Sequence, residues 1–193
     1  MPVLNIAMVG SDDLAREIAK PTDQRDVHTY VHKESGADGP RILSIIRPAK
    51  YPERLRPFLN ALSAARVGII EVQRIDATLG EALVAFASSG LTKGMAIINA
   101  PEGEWVDEEQ AKMLFKQAGL ADWTFAQGDG IELRTILYGF MDDIADELRA
   151  NAEAPLVIPV DQHFNVKGIG LVAIGYVQSG TVHVHDELSL IHI

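Results

Sequence analysis

Short, nearly continuous apolar runs alternate along this chain with stretches whose apolar residues recur every three or four positions. The runs are "VLNIAMV", "DVHTYVH", "RILSIIR", "VGIIEV", "MAIINA" and "DWTFAQ". Each has strand length, and "VGIIEV" and "MAIINA" carry the unbroken hydrophobicity of strands buried on both faces. Between them, Leu55, Phe58, Leu59 and Leu62 keep helical spacing with Pro57 suited to a first turn, and Leu79, Ala82, Leu83 and Phe86 repeat the pattern. Asp107 and Gln110 read as a capping pair for a helix that stops at Gly119. A long final helix presents Leu133, Ile136, Leu137, Phe140, Ile144 and Leu148 on one side and Asp142, Asp143, Asp146 and Glu147 to water. Strands alternating with helices predict an α/β domain with a mostly parallel sheet. "DVHTYVH" and "RILSIIR" are the exception: "KESGADGP" between them has no room for a helix, so they are expected as an antiparallel hairpin at the sheet edge.

The periodicity changes after "RANAEAP". From Leu156 the chain is strand-like and punctuated by Gly168, Gly170, Gly175 and Gly180, so the expected division is residues 1–152 and 153–193. Without cysteine there is no disulfide framework or thiolate metal site, and the sequence shows neither a signal-peptide pattern nor an apolar run near the roughly 20 residues of a membrane span. The expectation is cytoplasmic. A net charge of −10 argues against non-specific nucleic-acid binding and against DNA as a partner, but the charge is uneven. Residues 1–100 hold 12 Lys/Arg against 11 Asp/Glu, and residues 101–153 hold 4 against 13. Arg41, Arg47, Lys50, Arg54, Arg56, Arg66 and Arg74 face only Glu53 and Glu71 in sequence, which reads as a solvated basic surface or as a patch for RNA or a protein partner.

The segment "PVDQHFNVKGIGLVAIGYVQSGTVHVHDEL" resembles the second, β-barrel domain of translational GTPases of the elongation factor Tu class, above all the selenocysteine-specific elongation factors. The matching positions are Phe164, Val166, Lys167, Gly168, Gly170, Val172, Gly175, Val177, Gly180, Val182 and Asp186, while His185 stands where the pattern has glycine. The resemblance implies a G domain (a P-loop NTPase fold) over residues 1–152, and "PERLRPFLNALSAARVGIIEV" and "LGEALVAFASSGLTKGMAIINAPEG" are similar to the runs that follow and precede its nucleotide motifs. The forty residues from 154 to 193 are too few to close that barrel, so a truncated barrel is expected.

The family's chemistry carries over less well than its fold. Its phosphate loop needs Gly-x-x-x-x-Gly-Lys-Ser/Thr, because the second glycine lets the backbone wrap the β-phosphate, the lysine neutralises it and the hydroxyl ligates magnesium. In "GSDDLARE" Gly10 remains, but those three positions are Ala15, Arg16 and Glu17, with Asp12 and Asp13 inside the loop. At about 5 Å and an effective dielectric near 20, each carboxylate opposes each phosphate charge by roughly 3 kcal/mol. Ser11 as an N-cap and Asp12 and Asp13 in a first turn account for the same residues without a ligand. "IRPAKY" stands for the Asp-x-x-Gly-His motif, which makes Ile46, Ala49 and Lys50 the counterparts of the magnesium aspartate, the glycine and the water-placing histidine. The few residues between Lys20 and the hairpin leave no space for a long first switch. The guanine motif has become "NAPE", keeping Asn99 and placing Glu102 where the selective aspartate belongs.

The expectation is therefore a translation-factor-like pseudo-GTPase with no catalytic residues, no cofactor and no metal site. Gly10, Arg16, Asn99 and Glu102 are its vestigial nucleotide positions, and Arg47, Lys50, Arg54 and Arg56 its RNA- or partner-binding residues. The resemblance implies transfer RNA, the ribosome or another translation factor as partner, and no membrane. Two alternatives stand beside it: weak binding of GTP or GDP with magnesium through Arg16, Asn99 and Glu102, and a non-catalytic regulatory or scaffold module. His183, His185 and His192 read as surface residues or as zinc ligands, and Met113, Met141, Trp105 and Trp123 as core.

Overall fold

The computed structural model describes residues 2–25, 27–36 and 39–189. The chain divides into two compact units, Met1–Met141 and Asp142–Ile193. The first holds β1 (Val3–Val9), α1 (Asp12–Ile18), β2 (Lys20–Gln24), β3 (Val27–Gly36), β4 (Gly39–Pro48), α2 (Leu55–Ala64), β5 (Val67–Val72), α3 (Ala77–Ser88), β6 (Lys93–Ile98), α4 (Glu108–Ala118) and β7 (Thr124–Ala126), and α5 (Gly130–Ala150) begins in it. These strands form one seven-stranded sheet of order β2-β3-β4-β1-β5-β6-β7. β4, β1, β5, β6 and β7 run parallel, whereas β2–β3 and β3–β4 are antiparallel. The expected mixed sheet and hairpin are present. The hairpin is not at the edge, however: β2, "KPTDQ", lies outside it. Its pairing to β3 is carried by the backbone and by Thr22 and Thr29, whose hydroxyls lie 2.8 Å apart, so it needs no apolar alternation.

Every residue of β5 is buried, as its composition requires of a central strand. Even-numbered positions of β5 and β6 face a core made with Phe58 and Leu62 of α2, Leu83 and Phe86 of α3, and Phe115 of α4. The indole of Trp123 lies against the two strands where Gly68 and Gly94 leave room; a Cβ on Gly94 would fall 2.5 Å from its Cε2 atom. By strand alternation Ile6, Met8, Ile45, Ile69 and Met95 face the other way, and all are fully buried. α1 and α5 meet through Glu17, whose carboxylate accepts from the Gly130 amide at 3.1 Å, and through Arg134, which donates to the Glu17 and Ile18 carbonyls, each at 3.0 Å. A guanidinium there satisfies carbonyls that α1 leaves open at its C-terminus.

Two assignments to the core do not hold. Trp105 is 79% exposed and Met113 54% exposed, while Trp123 and Met141 are buried. Met113 lies two residues from each of Ala111 and Phe115, the buried pair of α4, which turns it about 200° away from them.

The second unit contains the antiparallel pair β8 (Val160–Val166) and β9 (Gly170–Gly175). Val166 pairs with Gly170 across a three-residue turn, and Gly168 and Gly170 adopt positive φ of 86° and 103°. His185, where the barrel pattern has glycine, has φ 78°, a left-handed conformation. His192 lies outside the described residues. Among the described residues no helix is long and apolar enough to cross a membrane.

Candidate functional site

β1 is the point at which the sheet is wound in both directions, with β4 on one side and β5 on the other. A doubly wound sheet opens its crevice beyond the carboxyl ends of the strands at such a point. Here those ends are Val9–Gly10, Pro48, Val72–Gln73 and Ile98–Asn99.

The centre of the arrangement is Glu71, which the sequence reading counted only as a charge. Its side chain is on the same side of the sheet as α1, and it is 6% exposed, the one charged residue in the buried class among the described residues. Its Oε2 atom accepts from the Ser11 backbone amide at 2.5 Å and from the Gln73 side-chain amide at 3.2 Å. Oε1 accepts from the Asn99 amide at 2.6 Å and from the Ser11 hydroxyl at 3.1 Å. Four donors from three strand ends converge on one carboxylate, which is what a buried charge without a cation in contact requires. Gly10 is needed for this approach, because a Cβ there would sit 2.9 Å from the Glu71 Cβ. The signal was present in "VGIIEV": a lone carboxylate inside a strand apolar on both faces must find donors.

Ser11 also does what its position predicts, accepting the Leu14 amide at 3.1 Å as N-cap of α1. Asp12 and Asp13 occupy the first turn. Asp12 accepts hydrogen bonds from the Tyr30 hydroxyl and from Arg16, and these two, in that order, hold its carboxyl below the usual range. Burial first, and Asp12 second, push the Tyr30 hydroxyl up. Arg16 is thus engaged on the exposed face of α1. Asn99 joins the Glu71 group, whereas Glu102 is exposed in the loop after β6. Of the four nucleotide positions, the structure brings Gly10 and Asn99 together around Glu71.

A cleft of about 360 Å3 adjoins this group, lined among others by Arg47, Tyr51, Gln73, Arg74 and Pro101. Arg47 donates through Nε to the Gly10 carbonyl at 2.7 Å, tying β4 to β1. Arg74 forms a two-armed pair with Glu104 at 2.6 and 2.5 Å. Burial, with Glu81 and Asp76 nearby, pushes the Tyr51 hydroxyl to about 12. Arg41 likewise is engaged, donating to the Tyr138 carbonyl at 3.0 Å and lying 3.4 Å from Glu34. Lys50, Arg54 and Arg56 are exposed, before and within the first turn of α2. Among the described residues no three His, Asp or Glu side chains converge as a metal site would require.

No family model matches the chain. An uncharacterized protein of Methanocaldococcus jannaschii is 26% identical over 189 residues, which cover 97% of this chain and 57% of that protein. The chain thus spans little more than half the length of that relative. Among solved structures, a bacterial selenocysteine-specific elongation factor, EF-Sec, superposes with a TM-score of 0.59 at 20% identity, over 93% of this chain and 35% of that one. Elongation factor SelB of Methanococcus maripaludis, solved with the GTP analogue GPPNHP, gives a TM-score of 0.56 at 16% identity, over 96% of this chain and 44% of its own. The chain has the fold of a translation elongation factor of this kind, with a G-domain-like α/β part.

Proposed function

We propose that this chain is a cytoplasmic translation-factor-like module that works without nucleotide, acting as a binding protein toward RNA, the ribosome or a protein partner. The observation that carries the reading is the Glu71 carboxylate, which accepts the first amide of the loop before α1 and the Asn99 side chain. Both donors lie in segments that resemble the family's phosphate loop and guanine motif. Here they are satisfied from within, and Asp12, Asp13 and Glu71 together make the strand ends a poor host for phosphate. The exposed cations Lys50, Arg54 and Arg56 support a binding role on the flank of the same edge.

The test is equilibrium titration of the full chain with fluorescent GDP and GTP in the presence of magnesium. The expected outcome is no saturable signal up to millimolar nucleotide. Micromolar affinity for either nucleotide would overturn the reading and make the chain a nucleotide-binding factor with an altered loop.

A further inference from the structure

α2 buries Phe58, Ala61 and Leu62, yet Leu55 and Leu59, one turn apart, are 44% and 49% exposed. At 100° per residue the two leucines run along the margin of the buried arc, and Arg56 lies about 60° beyond Leu59 on the side away from the core. Lys50 and Arg54, also exposed, lie just ahead of it, and Glu53 is the one acid between residues 48 and 70. A hollow beside Arg56, bounded by Val27, Pro57 and Asn60, adds a concave spot. The face is thus an apolar ridge bordered by cations.

Its occupant has to satisfy both. Single-stranded RNA would supply charge, but such surfaces alternate cations with aromatic rings for the bases to stack on, and the exposed ridge here is leucine; Phe58 faces inward. Covering Leu55 and Leu59 takes aliphatic side chains, and Lys50, Arg54 and Arg56 take carboxylates beside them. We infer that the α2 face docks an acidic amphipathic helix of a protein partner, its aliphatic residues at i, i+4 packing along the Leu55–Leu59 ridge and its Asp or Glu residues meeting the flanking cations. This rests on the reading of the module as a partner-binding protein and narrows the partner to protein.

The test uses the full chain and a fluorescein-labelled peptide of about 18 residues, or five turns, with leucine on one face and glutamate on the other. Two controls accompany it: the same peptide with its leucines replaced by serine, and a uridine-rich oligonucleotide of equal charge. Anisotropy is expected to report saturable binding of the leucine peptide, weakened about tenfold or more by Leu55→Ser with Leu59→Ser, and similarly by Arg54→Glu with Arg56→Glu. The serine peptide is expected to bind at least about tenfold more weakly, which holds the inference to account even if a leucine variant fails to fold. Oligonucleotide binding as tight as the peptide's, indifferent to the leucines, would overturn the inference in favour of RNA; no peptide binding would overturn it outright. Neither result depends on the nucleotide titration, so the two readings fail separately.

Discussion

Replacing Glu71 by glutamine keeps its shape and removes its charge, and so measures the central group of the site. In the native arrangement Oε1 accepts from Asn99 and the Ser11 hydroxyl, and Oε2 from the Ser11 amide and Gln73. Glutamine offers one acceptor and one NH2 group. Asn99 and Gln73 can turn their amides over and the Ser11 hydroxyl can rotate, but the Ser11 backbone N–H cannot, so the glutamine oxygen must take the Oε2 position. Bonds to a charged acceptor contribute about 1.5–3 kcal/mol and neutral ones about 0.5–1.5, so each short bond weakens by about 1 kcal/mol. Counting only the two shortest, the loss is about 2 kcal/mol. Relief from burying a carboxylate offsets part of it, and only part, because the group borders an open cleft. For a chain of this size the full 2 kcal/mol would lower the melting temperature by about 4–8 °C, so with the offset a fall of about 2–6 °C is expected. Thermal unfolding by circular dichroism measures this, and the Ser11 amide proton should move upfield in the NMR spectrum as its short bond lengthens. A variant melting within about 1 °C of the parent, with the Ser11 resonance unmoved, would refute the assignment of Glu71 as the tie between the strand ends.

Two other outcomes follow from features that do not involve the Glu71 hydrogen bonds. Gly94→Ala puts a methyl 2.5 Å from an indole that is itself wedged against Phe86 at 5.1 Å and Phe115 at 5.8 Å; a loss of about 3 kcal/mol is expected, read as a lower guanidinium midpoint at unchanged slope. Burial pushes the hydroxyls of Tyr51 and Tyr138 to about 12, so the folded chain keeps protons that the unfolded one releases near 10. Stability from these two groups should be intact below pH 10 and fall as pH rises toward 12, with phenolate absorbance appearing late and together with unfolding. Early, independent titration of both tyrosines would contradict their burial.

What the sequence revealed, and what it withheld, follows from where the information lies. Ser11 and Asp107 cap α1 and α4 through their own side chains, so these starts were legible locally, as was the stop of α4 at Gly119 with φ 92°; the cap of α3 by Asp76 emerged only in the structure. The central parallel strands β5 and β6 announced themselves by unbroken hydrophobicity, the mark of burial on both faces. β2 did not, since an edge strand of "KPTDQ" is specified by its neighbour's backbone and not by its own pattern. Trp105 read as core from its apolar position, yet it stands in the loop between β6 and α4, where Glu104 is held by Arg74 and Val106 packs against the core. Glu71 was in plain view but meaningless without its partners, which are 60 residues away at Ser11 and 28 at Asn99. Within the basic run, Arg41, Arg47 and Arg74 hydrogen-bond groups distant in sequence, which the run itself could not show.

The Glu71 tie also sets what kind of variable can act on this edge of the sheet. A bound small molecule joins strand ends with a strength that rises and falls with its concentration, by mass action. Glu71 is covalently part of β5, so the bridge from β5 to the Ser11 loop and to Asn99 is always at its full local concentration and answers to no pool in the surroundings. Events that move the polypeptide itself, such as a partner pulling on the loop before α1 or a replacement within β5, are the ones that can loosen it in place of ligand release.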